Sequence, residues 1–137
     1  MKLLYPGSFN PFHIGHLNIY KKASKLGIVE LVVPIETTAY AHNVSISEFS
    51  NDNITNNATI LVRYFNGLLI DLVNKIKPDA IVRGLRNGND LQYEMNMQYW
   101  NEDLGIEIPT IYFICDRRYS HISSSSIREF NKYKKEL

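Results

Sequence analysis

A single cysteine, Cys115, stands in 137 residues, so no disulfide can form within the chain, which suits a reducing compartment. Neither charge dominates: 15 basic residues against 14 acidic ones leave a formal charge of +1. The basic stripe of a non-specific nucleic-acid binder is therefore not expected. No apolar run approaches the length that crosses a bilayer. No signal peptide is expected either, because the first residues already belong to a motif. No repeat divides the sequence. Histidines number only four, and no cysteine or carboxylate stands beside the pair at His13 and His16, which argues against metal ligation. What is there is an ordinary globular composition, 45 % hydrophobic and 21 % charged, at a length that fits one domain over 1–137.

The stretch from Lys2 to His16 organises the rest. A short apolar strand, Leu3 to Tyr5, breaks at Pro6-Gly7 and leads into a helical pattern carried by Ile14, Leu17, Tyr20 and Ala23, with Gly27 as its expected C′ residue. Gly7 allows a tight turn and a close approach to a ligand. The amides that open a helix lack internal partners and suit a phosphate. His13 and His16, three apart, share one face of the first turn and can donate to charge developing on a phosphoryl group.

Strand and helix patterns then alternate. Strands are expected over 28–35, 58–65, 79–82 and 110–115. Helices are expected over 67–76, closed by Pro78, and from a cap at Asn89 or Asp90 to about 101. A last helix should start with Ser126 and Glu129 as a capping box. Between Thr37 and Asn57 the chain is polar and Asn-rich, which predicts a loop or lid, with His42 its only plausible cation. The alternation implies an α/β, Rossmann-like, doubly wound five-stranded parallel sheet with helices on both faces. Ligands in such sheets bind beyond the carboxyl ends of the strands. There the sequence places three polar loops: 6–16, Arg83-Gly84-Leu85-Arg86, and His121-Ile122-Ser123-Ser124-Ser125-Ser126. Two arginines beside a glycine can clamp a triphosphate, unless they are surface residues tied to Asp90 or Glu94.

The segment Gly7 to His16 resembles the Gly-Ser-Phe-x-Pro-x-His-x-Gly-His signature of the nucleotidylyltransferases, and Ile122 to Arg128 their Ile-Ser-Ser-x-x-x-Arg motif. Arg83-Gly84-Leu85-Arg86, followed by Asp90-x-x-Tyr93-Glu94, is similar to bacterial phosphopantetheine adenylyltransferases. The resemblance implies transfer of the adenylyl group of ATP to 4′-phosphopantetheine, with release of pyrophosphate and with Mg²⁺ on the triphosphate. It implies catalytic roles for His16, Ser8 and Arg86. It implies ATP contacts for Ser8, Phe9, His13, His16, Gly84, Leu85, Arg86 and Glu94, and for Tyr119, Ser120, His121, Ile122, Ser123, Ser124 and Ser125. The acceptor would meet Ser8, Leu69, Arg83 and Asn101. A cytoplasmic homo-oligomer acting on small molecules, away from membranes and nucleic acids, is implied as well. The chain departs from the pattern at Asn10 (usually Asp), at His13 (usually Thr or Asn), and over 36–42, where the family's lysine is missing. Two alternatives stay open: another phosphate acceptor such as nicotinamide or nicotinate mononucleotide, or a nucleotide-binding protein with little catalysis.

Overall fold

The structure is a computed structural model and describes residues 1–34 and 60–136. The expected polar loop at 37–57, His42 included, lies outside the described residues.

Alternation with a period of two explains the sheet. In β1 (Lys2–Pro6), Leu3 and Tyr5 face one layer while Leu4 faces the other, and all three are buried. Strand β2 (Ile28–Pro34) runs parallel to β1 from Lys2 opposite Ile28, and β3 (Leu61–Phe65) continues from β2. On the other side, β4 (Ala80–Leu85) pairs with β1, and β5 (Thr110–Ile114) with β4. The order is β3-β2-β1-β4-β5, with every pairing parallel. Chain order reverses at β1, so the crevice beyond the ends of β1 and β4 is the switch point at which such sheets bind ligands.

Helices cover both faces. Leu17, Ile19 and Ala23 of α1 (Ile14–Ser24) pack against Leu3, Leu31, Val33 and Val82. Leu72 and Val73 of α2 (Leu69–Ile76) pack against Leu4, Val32 and Ile81 on the opposite face. Each fully buried leucine among these is worth roughly 1.5–3 kcal/mol relative to an exposed one. The helix α3 (Gly88–Asp103) crosses over from β4 to β5, and α4 (Ser124–Glu136) follows a 3₁₀ turn at Arg117–Tyr119. Among the described residues, no helix is long and apolar enough to cross a membrane.

Several boundaries differ from the sequence reading. Strand β4 does not stop at Val82: Arg83, Gly84 and Leu85 pair with Tyr112, Phe113 and Ile114, so three residues expected in a loop belong to the sheet. Gly84 is needed there for close approach, since a Cβ would lie 2.7 Å from Cγ1 of Ile19 on α1. Helix α1 ends at Ser24, and Gly27 is not its C′ residue. Instead, a Cβ at Gly27 would lie 2.1 Å from the carbonyl oxygen of Met1, which accepts from the Ile28 amide. Asn87, not Asn89 or Asp90, caps α3, its side chain accepting from the Asp90 amide at 3.0 Å. In α4 the box is Ser123 with Ser126, each hydroxyl accepting from the other's amide at 3.1 Å, in place of Ser126 with Glu129.

Candidate active site

The loop from Pro6 to His13 folds as a cluster of rings. Phe9 sits at a positive φ of 47°, uncommon for a bulky side chain, and is buried. Its ring meets Tyr5, Phe12 and His16 edge-on at centroid distances of 5.1, 5.6 and 4.9 Å. Phe12 also stacks on His16 at 5.4 Å, and His13 stacks on His16 from another side at 3.7 Å. His16 is thus fixed by neighbours from several directions before any substrate is present.

Both imidazoles also serve as helix caps. His13 is the N-cap of α1, its Nδ1 accepting from the Gly15 amide at 3.1 Å, while Nδ1 of His16 accepts from the His13 amide at 3.1 Å. The motif's opening amides are therefore not all free for a phosphate, as the sequence alone suggested. A ring nitrogen that accepts carries no proton, so each neutral imidazole bears its hydrogen on Nε2. Gly15 makes room for this arrangement, because a Cβ there would lie 2.9 Å from Cε1 of His13.

The caps and the burial both favour neutral rings. Burial, helped by the Arg86 charge, lowers the His13 pKa to about 4. Burial, with the charges of His13, Arg83 and Arg86 adding to it, holds His16 well below the usual histidine range. A proton on either Nδ1 would face an amide N–H and open the cap. In the unfolded chain these groups titrate near 6.5. The unfolded state therefore binds more protons between about 6.5 and the folded values, and stability rises with pH there. The stabilisation is complete above 6.5 and is lost as pH falls toward 4. We expect the thermal midpoint to drop on acidification through this window, and His13→Asn, which retains a capping oxygen, to reduce the drop. Superimposable pH profiles for the two proteins would refute the linkage.

Arg83, within β4, and Arg86, just after its end, each meet a carboxylate, and the two carboxylates stand one helix turn apart on α3. Arg83 bonds both oxygens of Glu94 through Nε at 3.0 Å, adds an Nη2 bond at 2.7 Å, and donates from Nη1 to the Pro6 carbonyl at 2.5 Å. Burial works against the Arg83 charge, but the hydrogen bonds and attraction of Glu94 outweigh it and raise its pKa. Arg86 holds Asp90 through Nε at 2.9 Å and Nη2 at 3.1 Å, and that bonding raises the Arg86 pKa. The ties to Glu94 and Asp90 that the sequence left as an alternative to a clamp are thus formed, within the crevice rather than on an outer surface.

The third loop closes against the first two. Ser124 Oγ donates to the Pro11 carbonyl at 2.8 Å, Arg128 donates to the Asn10 carbonyl, and Arg86 Nη1 donates to the Ile122 carbonyl at 3.3 Å. Around this junction lies a cavity of about 280 Å³. Of the expected nucleotide contacts, Ser8, Phe9, His13, His16, Gly84, Leu85, Arg86, Glu94, Ile122, Ser123 and Ser124 line it, whereas Tyr119, Ser120, His121 and Ser125 do not. A second cavity of about 450 Å³ adjoins the first and is lined by Ser8, Leu69, Arg83 and Asn101, the four residues expected at the acceptor. Pro6, Gly7, Ser8, Arg83, Tyr93 and Glu94 belong to both walls.

Asp90, Tyr93, Met97 and Gln98 also line these cavities and were not among the expected site residues. The signal was present: 90, 93, 94, 97, 98 and 101 repeat at helical spacing, so one face of α3 looks into both cavities.

Set beside known proteins, residues 4–130 match the model of a family described as cytidylyltransferase-like. A phosphopantetheine adenylyltransferase of Clostridium botulinum is 37% identical over 130 residues, covering 92% of this chain and 79% of that protein. One from Clostridium perfringens is 37% identical over 138 residues (98% and 84%), and one from Prochlorococcus marinus 33% over 141 residues (100% and 88%). The crystal structure of a lipopolysaccharide core biosynthesis protein from Thermoplasma volcanium has the same fold, with a TM-score of 0.54 at 23% identity, covering 82% of this chain and 95% of that one. The chain belongs to the cytidylyltransferase-like family and, within it, to the phosphopantetheine adenylyltransferase family.

Proposed function

We propose that the chain transfers the adenylyl group of ATP to 4′-phosphopantetheine, giving dephospho-coenzyme A and pyrophosphate. The observation that carries this reading is the shared wall. A smaller cavity at the histidines and a larger, more apolar one meet at Ser8 and Arg83. Two substrates bound on either side would bring an acceptor phosphate and an α-phosphate together at that wall. The names of the relatives support these two substrates.

In this reading ATP occupies the first cavity, with its phosphates toward Ser8, His13, His16 and Arg86. The acceptor extends through the second along Leu69 and Asn101, its phosphate near Arg83. An acceptor oxygen attacks the α-phosphorus, and the bond to the β-phosphate oxygen breaks with pyrophosphate as leaving group. Neutral His16 offers its Nε2 hydrogen to the charge gathering on the α-phosphate. No side chain is attacked, so rate comes from positioning and charge stabilisation. At the helix start Nδ1 of His13 does the capping that Thr or Asn could do.

Magnesium belongs to this reading as part of the MgATP substrate. Among the described residues no group of three or more His, Cys, Asp and Glu is assembled, and both carboxylates of the site are held by arginines. No step is therefore assigned to a protein-held metal. A homo-oligomer is also part of the proposal. Leu91, Met95 and Tyr99 repeat every four residues on α3 and are exposed together with Trp100, an apolar face that a second copy would cover. The proposal places the protein in the cytoplasm. Mass spectrometry of a mixture of protein, MgATP and 4′-phosphopantetheine tests the reaction. Dephospho-coenzyme A is expected, and ATP bound but unconverted would leave only a binding protein.

A further inference from the structure

We propose that Asp90 is a positioning residue that holds the Arg86 guanidinium as a ready-made fork for the triphosphate. The turn from β4 into α3 is built around this one carboxylate. It accepts from the backbone amide of Arg86 at 3.0 Å, from Nε at 2.9 Å and from Nη2 at 3.1 Å. The backbone of Asp90 is held as well, its amide donating to the capping oxygen of Asn87. The far side of the guanidinium reaches the Ile122 carbonyl, so the same side chain ties the second polar loop to the third.

A count of donors shows that this grip leaves Arg86 usable. A guanidinium has five N–H groups. Asp90 takes the one on Nε and one on Nη2, and Ile122 takes one on Nη1. One N–H on each terminal nitrogen remains, and Arg86 lines the histidine cavity. Two N–H groups on one rigid plane can bind an anionic oxygen pair without first ordering a long side chain. Asp90 lines the same cavity, so a role as competitor for Arg86 is the contrary reading: the triphosphate would have to displace it. The residual donors make displacement unnecessary. Glu94 shows the same logic at Arg83, but Asp90 is bonded to backbone and side chain of one residue, which makes its effect separable.

The inference rests on ATP being a ligand of the first cavity, and the experiment separates failure of that premise from failure of the inference. MgATP is titrated calorimetrically into the wild type, Asp90→Asn, Arg86→Ala and the double variant, each first shown to be folded by circular dichroism. Loss of a hydrogen bond to a charged group is worth roughly 10- to 100-fold. Asp90→Asn is expected to weaken MgATP binding by about that factor when Arg86 is present, and by less than about threefold when it is absent. Asp90→Glu, which keeps the charge and gives a second chance of a folded protein, is expected to fall between wild type and Asp90→Asn, again only with Arg86 in place. Equal losses with and without Arg86, or tighter binding in Asp90→Asn, would overturn the inference. No binding to the wild type would overturn the premise instead.

Discussion

His16→Ala is expected to lower kcat by about 10²–10³-fold while the KM for ATP changes far less. The reason lies in what holds the imidazole. Three rings pack on it and the His13 amide occupies its Nδ1, so the ring meets the substrate already oriented. It is neutral and presents Nε2–H, a donor whose value grows as charge gathers on the α-phosphate. An interaction stronger in the transition state than in the ground state appears in kcat. A wild-type kcat with only the ATP affinity lost would make His16 a ground-state ligand.

Arg83→Ala is expected to destabilise the fold by about 3–5 kcal/mol, in addition to any loss of acceptor binding. Glu94 is 5% exposed and has its carboxylate directed wholly at Arg83. Removing the guanidinium leaves that carboxylate buried without its cation, and frees the Pro6 carbonyl at the end of β1. Replacing both partners by apolar groups, as in Arg83→Met with Glu94→Leu, should recover most of the stability and none of the activity. Urea unfolding of the three proteins reads this directly. A single variant within about 1 kcal/mol of wild type would show that the pair is not what holds this end of the sheet.

The strand-turn-helix unit at 2–24 and the three polar loops could be read from the chain because local signals place them: the Pro6-Gly7 break, helical spacing and serines at a helix start. That the strands run parallel followed from alternation alone, whereas their order came from the structure. What could not be read depends on partners far away in sequence. Arg83, Gly84 and Leu85 look like a loop until β5 supplies Tyr112, Phe113 and Ile114 as neighbours. Gly84 reads as part of a phosphate clamp, yet its lack of a side chain serves Ile19 of α1. The capping roles of His13 and His16 were hidden because imidazole is not among the usual capping residues. Arg86 and Asp90 stand at a spacing that favours an ion pair, but nothing local shows that the pair still leaves donors for a ligand. Tyr119, Ser120, His121 and Ser125 were expected at the ATP site along with Ser123 and Ser124, and still lie outside the cavity wall.

The adenylyl-transfer reading as a whole turns on pyrophosphate release by the purified protein, followed with MgATP and one acceptor at a time. The account predicts release with 4′-phosphopantetheine at a kcat/KM at least about 10²-fold above that with nicotinamide or nicotinate mononucleotide, because the second cavity is the larger and more apolar of the two, which suits a pantetheine arm. Release that is faster with a mononucleotide, or absent with every acceptor while MgATP still binds, would contradict it.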